Sequence, residues 1–76
     1  MPHVIVKLYA GRSDRQKAKL AEEVTKAVMA SVNCGEDSVS VRIEDIRPND
    51  WTEKVFKPDI IAKWDSLYKK PGHSSV

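Results

Sequence analysis

Seventy-six residues and 8.6 kDa hold one domain, 1–76, and no more. An apolar fraction of 41% beside 32% charged residues excludes a disordered chain. The net charge is only +2, with 13 basic residues interleaved among 11 acidic ones, so there is no basic stripe to bind nucleic acid. A domain this short buries only about 60–65% of its unfolded surface, and such domains usually add disulfides, a metal or association. Cys34 is the single cysteine, which excludes an internal disulfide. Cys34, His3 and His73 are too few and too scattered for a structural zinc site. Association with further copies of the chain is the device that remains.

No stretch approaches the roughly 18 apolar residues of a membrane span. The start, Met1-Pro2-His3-Val4, lacks the basic head and apolar run of an export signal. With a lone thiol, this places the protein in the cytoplasm and predicts no membrane partner.

In chain order, Val4, Val6 and Leu8 alternate with His3, Ile5, Lys7 and Tyr9, the period of a strand. Ala10-Gly11-Arg12 breaks it. Ser13 and Gln16 then form a capping box, with Asp14 suited to the positive end of a helix dipole. The spacing of Leu20, Val24, Ala27, Val28 and Ser31 predicts a helix over about 14–32, with Lys17, Lys19, Glu22, Glu23 and Lys26 turned to solvent. Asn33-Cys34-Gly35 ends it, with Gly35 a left-handed cap. Val39, Val41 and Ile43 alternate with Ser40, Arg42 and Glu44 in a second strand that runs to about Ile46.

A strand, a long crossover helix and a strand make a βαβ unit, with parallel strands and a right-handed connection. Gly11 is alone in the first turn, so the dinucleotide-binding fingerprint is absent. Arg47-Pro48-Asn49-Asp50 has turn chemistry. Trp51 to Lys57 reads as irregular or as a short strand. Pro58 sits where a helix can begin, and Ile60, Ile61, Trp64, Leu67 and Tyr68 give it an apolar face. Pro71-Gly72 ends that helix before a polar tail, His73 to Val76. The fold class is therefore α/β (α+β): two parallel strands, one long helix and a shorter C-terminal helix. Two strands and one helix leave a bare sheet face and open edges, which a second copy can cover.

Pro2 is the first candidate for chemistry. If Met1 is removed, it presents a secondary amine, and a free α-amino group titrates near pH ~8. Burial and neighbouring cations would favour its neutral form, a general base at pH 7. The bland alternative is an ordinary proline at position two. Arg12, in the turn after the first strand, is either a solvated surface residue or a bidentate clamp for a carboxylate. Arg42 is either paired with Glu44 or Asp45 or turned to a ligand. Trp51 is either an anchor for its loop or an apolar wall that disfavours a charged amine. Trp64 fits core spacing. His3 and Cys34 are read as structural, because a helix C-terminus does not favour a thiolate.

The start Met1-Pro2, the run Gly11-Arg12-Ser13-Asp14-Arg15-Gln16-Lys17, the capped helix and a second strand ending near Glu44-Asp45 resemble the 4-oxalocrotonate tautomerase family over residues 1 to about 51. The tail, with Trp51, Trp64 and Lys69-Lys70-Pro71-Gly72, is most similar to the PptA-type tautomerases. The resemblance implies a β-α-β protomer and homodimers with a joint four-stranded sheet, hexamers being the alternative assembly. It implies catalysis by Pro2 after loss of Met1, without cofactor or metal. It also implies carboxylate binding by Arg12 across a subunit boundary, and an apolar wall at Trp51. The second-strand arginine of the type enzymes aligns with Ser40, and Arg42 lies two residues on, about 7 Å along the strand. A monoacid such as an arylpyruvate enol therefore fits better than a dicarboxylate.

The expected activity is enol–keto proton transfer on 2-hydroxy-2,4-dienoates or enolpyruvates. Pro2 is the base, with Arg12, Ser40, Arg42 and Trp51 around the substrate. Hydration or dehalogenation of unsaturated acids on the same scaffold is one alternative. A non-enzymatic oligomeric binding module is another.

Overall fold

A computed structural model describes residues 1–72. The tail from His73 to Val76 lies outside the described residues. The chain divides into two compact units, the first Met1–Asp45 and the second from Ile46 onward.

In the first unit, strand β1 covers His3–Tyr9 and helix α1 covers Asp14–Val32. A single 3-10 turn, Glu36–Ser38, leads into strand β2, Ser40–Ile46. The strands are parallel neighbours in a two-stranded sheet. Their starts adjoin, since the Ser40 N–H donates to the Pro2 carbonyl at 3.1 Å. Val4, Val6 and Leu8 of β1 and Val41 and Ile43 of β2 are half-buried on one face. His3, Ile5 and Tyr9 of β1 and Ser40 and Arg42 of β2 are exposed on the other.

The helix begins as the capping box predicts. Ser13 is extended, its hydroxyl accepts from the Gln16 N–H at 3.1 Å, and the Gln16 side chain accepts from the Ser13 N–H at 3.0 Å. The half-buried stripe of α1 is Lys17, Leu20, Ala21, Val24, Thr25, Val28 and Met29. This is rotated from the expected stripe. Ala27 and Ser31 are exposed, and Lys17, expected in solvent, is on the inner side. The helix stops at Val32 as expected, but its left-handed residue comes two positions earlier than expected. Asn33 takes the left-handed conformation (φ 55°, ψ 58°), while Gly35 is extended at φ −84°. Asn tolerates that region because its short side chain can bond locally.

In the second unit the expected irregular segment is helical. Helix α2, Pro48–Trp51, starts on Pro48, whose fixed φ suits a first helical turn. It continues without a break as a π-helical stretch, Thr52–Ile61, with Pro58 inside it. So Pro58 does not begin the shorter helix; that helix starts ten residues earlier. A proline lacks the N–H of an α-turn, and its ring crowds the carbonyl four residues back. The wider turn avoids that clash, and the Ala62 N–H bonds to the Lys57 carbonyl five residues back at 3.0 Å. Beyond Ile61 only a 3-10 turn forms, Trp64–Ser66, and Tyr68 is fully exposed instead of lying on a helical face.

Val55, 4% exposed, is the one buried apolar side chain among the described residues. Ile5 (50% exposed) and Val32 (59%) stay in solvent. The thin core expected from chain length is therefore present. Among the described residues, no helix is long and apolar enough to cross a membrane, and no cluster of His, Cys, Asp and Glu has the makings of a metal site.

Candidate functional site

Pro2 stands one residue before β1, half-buried, and is preceded by a fully exposed Met1. Its carbonyl is held by the Ser40 N–H, so the first peptide of the chain is anchored to the start of β2. Beside it, His3 Nδ1 and Ser40 Oγ lie 2.6 Å apart, a hydrogen bond on the exposed sheet face. Pro2 and Ser40 are thus brought together at one end of the sheet. His3, read from sequence as structural, joins them. Strand alternation could have found it, because His3 shares its face with Ser40 when the two strands start together.

Arg42 is two residues along the same exposed face, with its guanidinium 3.2 Å from Glu44 Oε1. That is the ion-pair alternative raised from the sequence. Such an exposed pair is weak enough for a substrate carboxylate to compete for the guanidinium.

Arg12 is at the opposite end of β1. Gly11 precedes it at φ +121°, a backbone conformation that L side chains rarely adopt, and this lets the chain reverse from strand to helix. Arg12 is exposed beside a shallow depression of about 270 Å³ that it lines with Tyr9, Ala10, Gly11 and Gln16. Among the described residues it makes no ion pair, although Asp14 is two positions away. Asp14 and Asp45 both bond to Lys17, at 3.6 Å and 2.7 Å. A guanidinium left without a carboxylate at the mouth of a depression suits an anionic ligand.

Seven residues of strand separate Pro2 from Arg12, which at about 3.3 Å per residue is roughly 20 Å. One small acid cannot touch both in one chain. Trp51 closes helix α2 in the second unit, where it is half-buried.

The Lys17–Asp45 contact was missed from sequence, yet its signal is there. Lys17 is on the same helical stripe as Leu20 and Ala21. Asp45 alternates in phase with Val41 and Ile43. Opposite charges on two inward faces point at one another.

A βαβ chain with an anchored proline at its start and an unpaired arginine in its first turn has the parts for proton transfer on a carboxylic acid. The model of the family described as "Tautomerase enzyme" matches residues 2–55. A Xylella fastidiosa (strain 9a5c) protein named "Probable tautomerase" is 37% identical over 76 residues, covering 100% of this chain and 93% of that protein. Tautomerase PptA of Cronobacter sakazakii is 35% identical, covering 96% of this chain and 97% of that protein. Among solved structures, YwhB, a homologue of 4-oxalocrotonate tautomerase, is 43% identical with a TM-score of 0.59, covering 60% of this chain and 75% of that one. A 4-oxalocrotonate tautomerase-like protein of methicillin-resistant Staphylococcus aureus is 44% identical with a TM-score of 0.62, covering 63% of this chain and 77% of that one. The chain belongs to the tautomerase family and has its β-α-β fold; it is an isomerase.

Proposed function

We propose that the protein catalyses enol–keto proton transfer on 2-hydroxy-2,4-dienoates or enolpyruvates, phenylenolpyruvate among them, with the Pro2 amine as base and no cofactor. The observation that carries this reading is Pro2 itself. It is anchored through its carbonyl to Ser40 and follows a fully exposed Met1. Removing Met1 leaves a secondary amine on a rigid ring at a fixed place. The neutral amine takes the enol proton and returns a proton to carbon, so no net proton is consumed. The Arg12 guanidinium grips the substrate carboxylate with two parallel hydrogen bonds. Because β1 holds Arg12 and Pro2 of one chain so far apart, the clamp comes from a second copy in a homodimer or hexamer. Ser40 or Arg42 orients the carbonyl, and Trp51 supplies an apolar wall. The lone thiol of Cys34 fits a reducing cytoplasm.

The test is ketonisation of phenylenolpyruvate by the native protein, by Pro2→Ala, and by protein that retains Met1. A positioned general base contributes about 10²- to 10⁴-fold, and both altered forms should lose activity on that scale. Equal rates in all three would end the proline mechanism. The hydratase or dehalogenase alternative needs a protonated Pro2 acting as an acid. A base loses activity on the acidic side of its pH–rate profile and an acid on the basic side, so the profile separates them.

A further inference from the structure

Lys17 sits four residues past the cap of α1, on the inner stripe, with its side chain 22% exposed. An ammonium in the first turns of a helix faces the positive end of the dipole, a mild cost. Two carboxylates offset it. Asp14 Oδ1 is 3.6 Å away, and Asp45 Oδ2 is 2.7 Å away from the end of β2, 28 residues further along the chain. The hydrogen bond to Asp45 holds the Lys17 proton more tightly than in an ordinary lysine, against a smaller opposing effect of desolvation.

The pair adjoins the turn that carries Arg12. The Lys17 N–H donates to the Ser13 carbonyl at 3.1 Å, and Ser13 is the residue after Arg12. On its other side the turn is fixed by β1, through Gly11. Lys17 thus grips the turn with its backbone and β2 with its side chain. Isolated surface ion pairs add little to stability, so the role of this one is in what it holds in place. We infer that Lys17 and Asp45 are positioning residues for Arg12: their ion pair ties the first turns of α1 to the end of β2 and so aims the guanidinium at the substrate carboxylate. This rests on the assignment of Arg12 as the carboxylate clamp.

The experiment compares kcat/KM for phenylenolpyruvate with kcat/KM for its methyl ester, in the parent protein and in Arg12→Ala, Lys17→Met, Asp45→Asn and Lys17→Arg. The acid-to-ester ratio does not depend on the fraction of protein folded, so a merely structural role leaves it unmoved. Lys17→Met and Asp45→Asn should each lower the ratio about 3- to 10-fold, through KM for the acid with kcat little changed. Lys17→Arg, whose guanidinium still reaches Asp45, should keep the parent ratio. If Arg12→Ala collapses the ratio while Lys17→Met and Asp45→Asn leave it alone, the positioning role is wrong and the clamp stands. If Arg12→Ala leaves the ratio unchanged, or the parent protein turns over neither compound, the clamp itself is wrong and the positioning role goes with it.

Discussion

At the scale of single residues, Gly11 holds φ at +121°, a conformation that strains any L side chain. A Cβ built there meets nothing within 4 Å, so the obstacle to substitution is the backbone alone and not the space around it. Gly11→Ala should destabilise the fold by about 1–3 kcal/mol, the cost of holding an L residue in a region natural to glycine. Thermal unfolding measures this directly. A chemically synthesised chain with D-alanine at position 11, for which positive φ is natural, should unfold like the parent. If L-alanine proves as stable as glycine, the turn does not need this conformation. Arg12, the proposed carboxylate clamp, depends on the same turn, so the L-alanine variant should also show a raised KM for phenylenolpyruvate. Ser40 makes a second point at this scale. Its N–H and hydroxyl are both engaged, with the Pro2 carbonyl and the His3 ring. Ser40 thus helps anchor Pro2 at the start of β1.

At the scale of elements, the bounds of α1 were legible, though not its inner stripe or the residue that caps its end. Its bounds follow from a capping box at one end and a left-handed residue at the other, both local chemistry. The strands were legible because alternation is local as well. The segment Pro48–Ile61 was not, for a physical reason. Pro58 reads as a helix start or a helix break when only α geometry is considered, and a π turn that accommodates it leaves no periodic mark in the sequence. Lys17 reads as solvent-facing because its charge outweighs its place on the stripe, and its partner Asp45 on β2 is distant in sequence.

The exposed side of α1 is laced with ion pairs, Lys19–Glu23 at 2.9 Å and Lys26–Glu22 at 3.3 Å. The hydrogen bond from Lys19 holds the Glu23 carboxyl below the usual carboxylate range. Bonds to Glu23 and to Asp45 raise Lys19 and Lys17 above the usual lysine range. The Glu23 contribution is complete above the carboxyl's ordinary value and fades as pH falls through its lowered one. The lysine contributions are complete below their ordinary value and fade as pH rises through the raised ones. Helix stability at low salt, followed by circular dichroism, should therefore fall at both extremes, and added salt should flatten both limbs. Salt-independent limbs would mean that these pairs hold nothing.

At the scale of the whole molecule, the thin core and the divided site pose one problem. Val55 is the single buried apolar residue among those described, and Ile5 remains half-exposed on the sheet. Pro2 and Arg12 lie at opposite ends of β1. A homo-oligomer that covers the sheet and delivers Arg12 from a neighbour solves both deficits at once, and subunit mixing tests it. Pro2→Ala and Arg12→Ala should each be nearly inactive alone. Mixed one to one through unfolding and refolding, half of all sites take Pro2 from an Arg12→Ala chain. Half of those meet an intact Arg12 on a Pro2→Ala neighbour, so random symmetric assembly restores about one quarter of the parent activity. The fraction is the same for a dimer and for a hexamer whose sites each use one neighbour. If the site were complete within one chain, every site in the mixture would carry one lesion or the other, and activity would stay at the level of the separate variants.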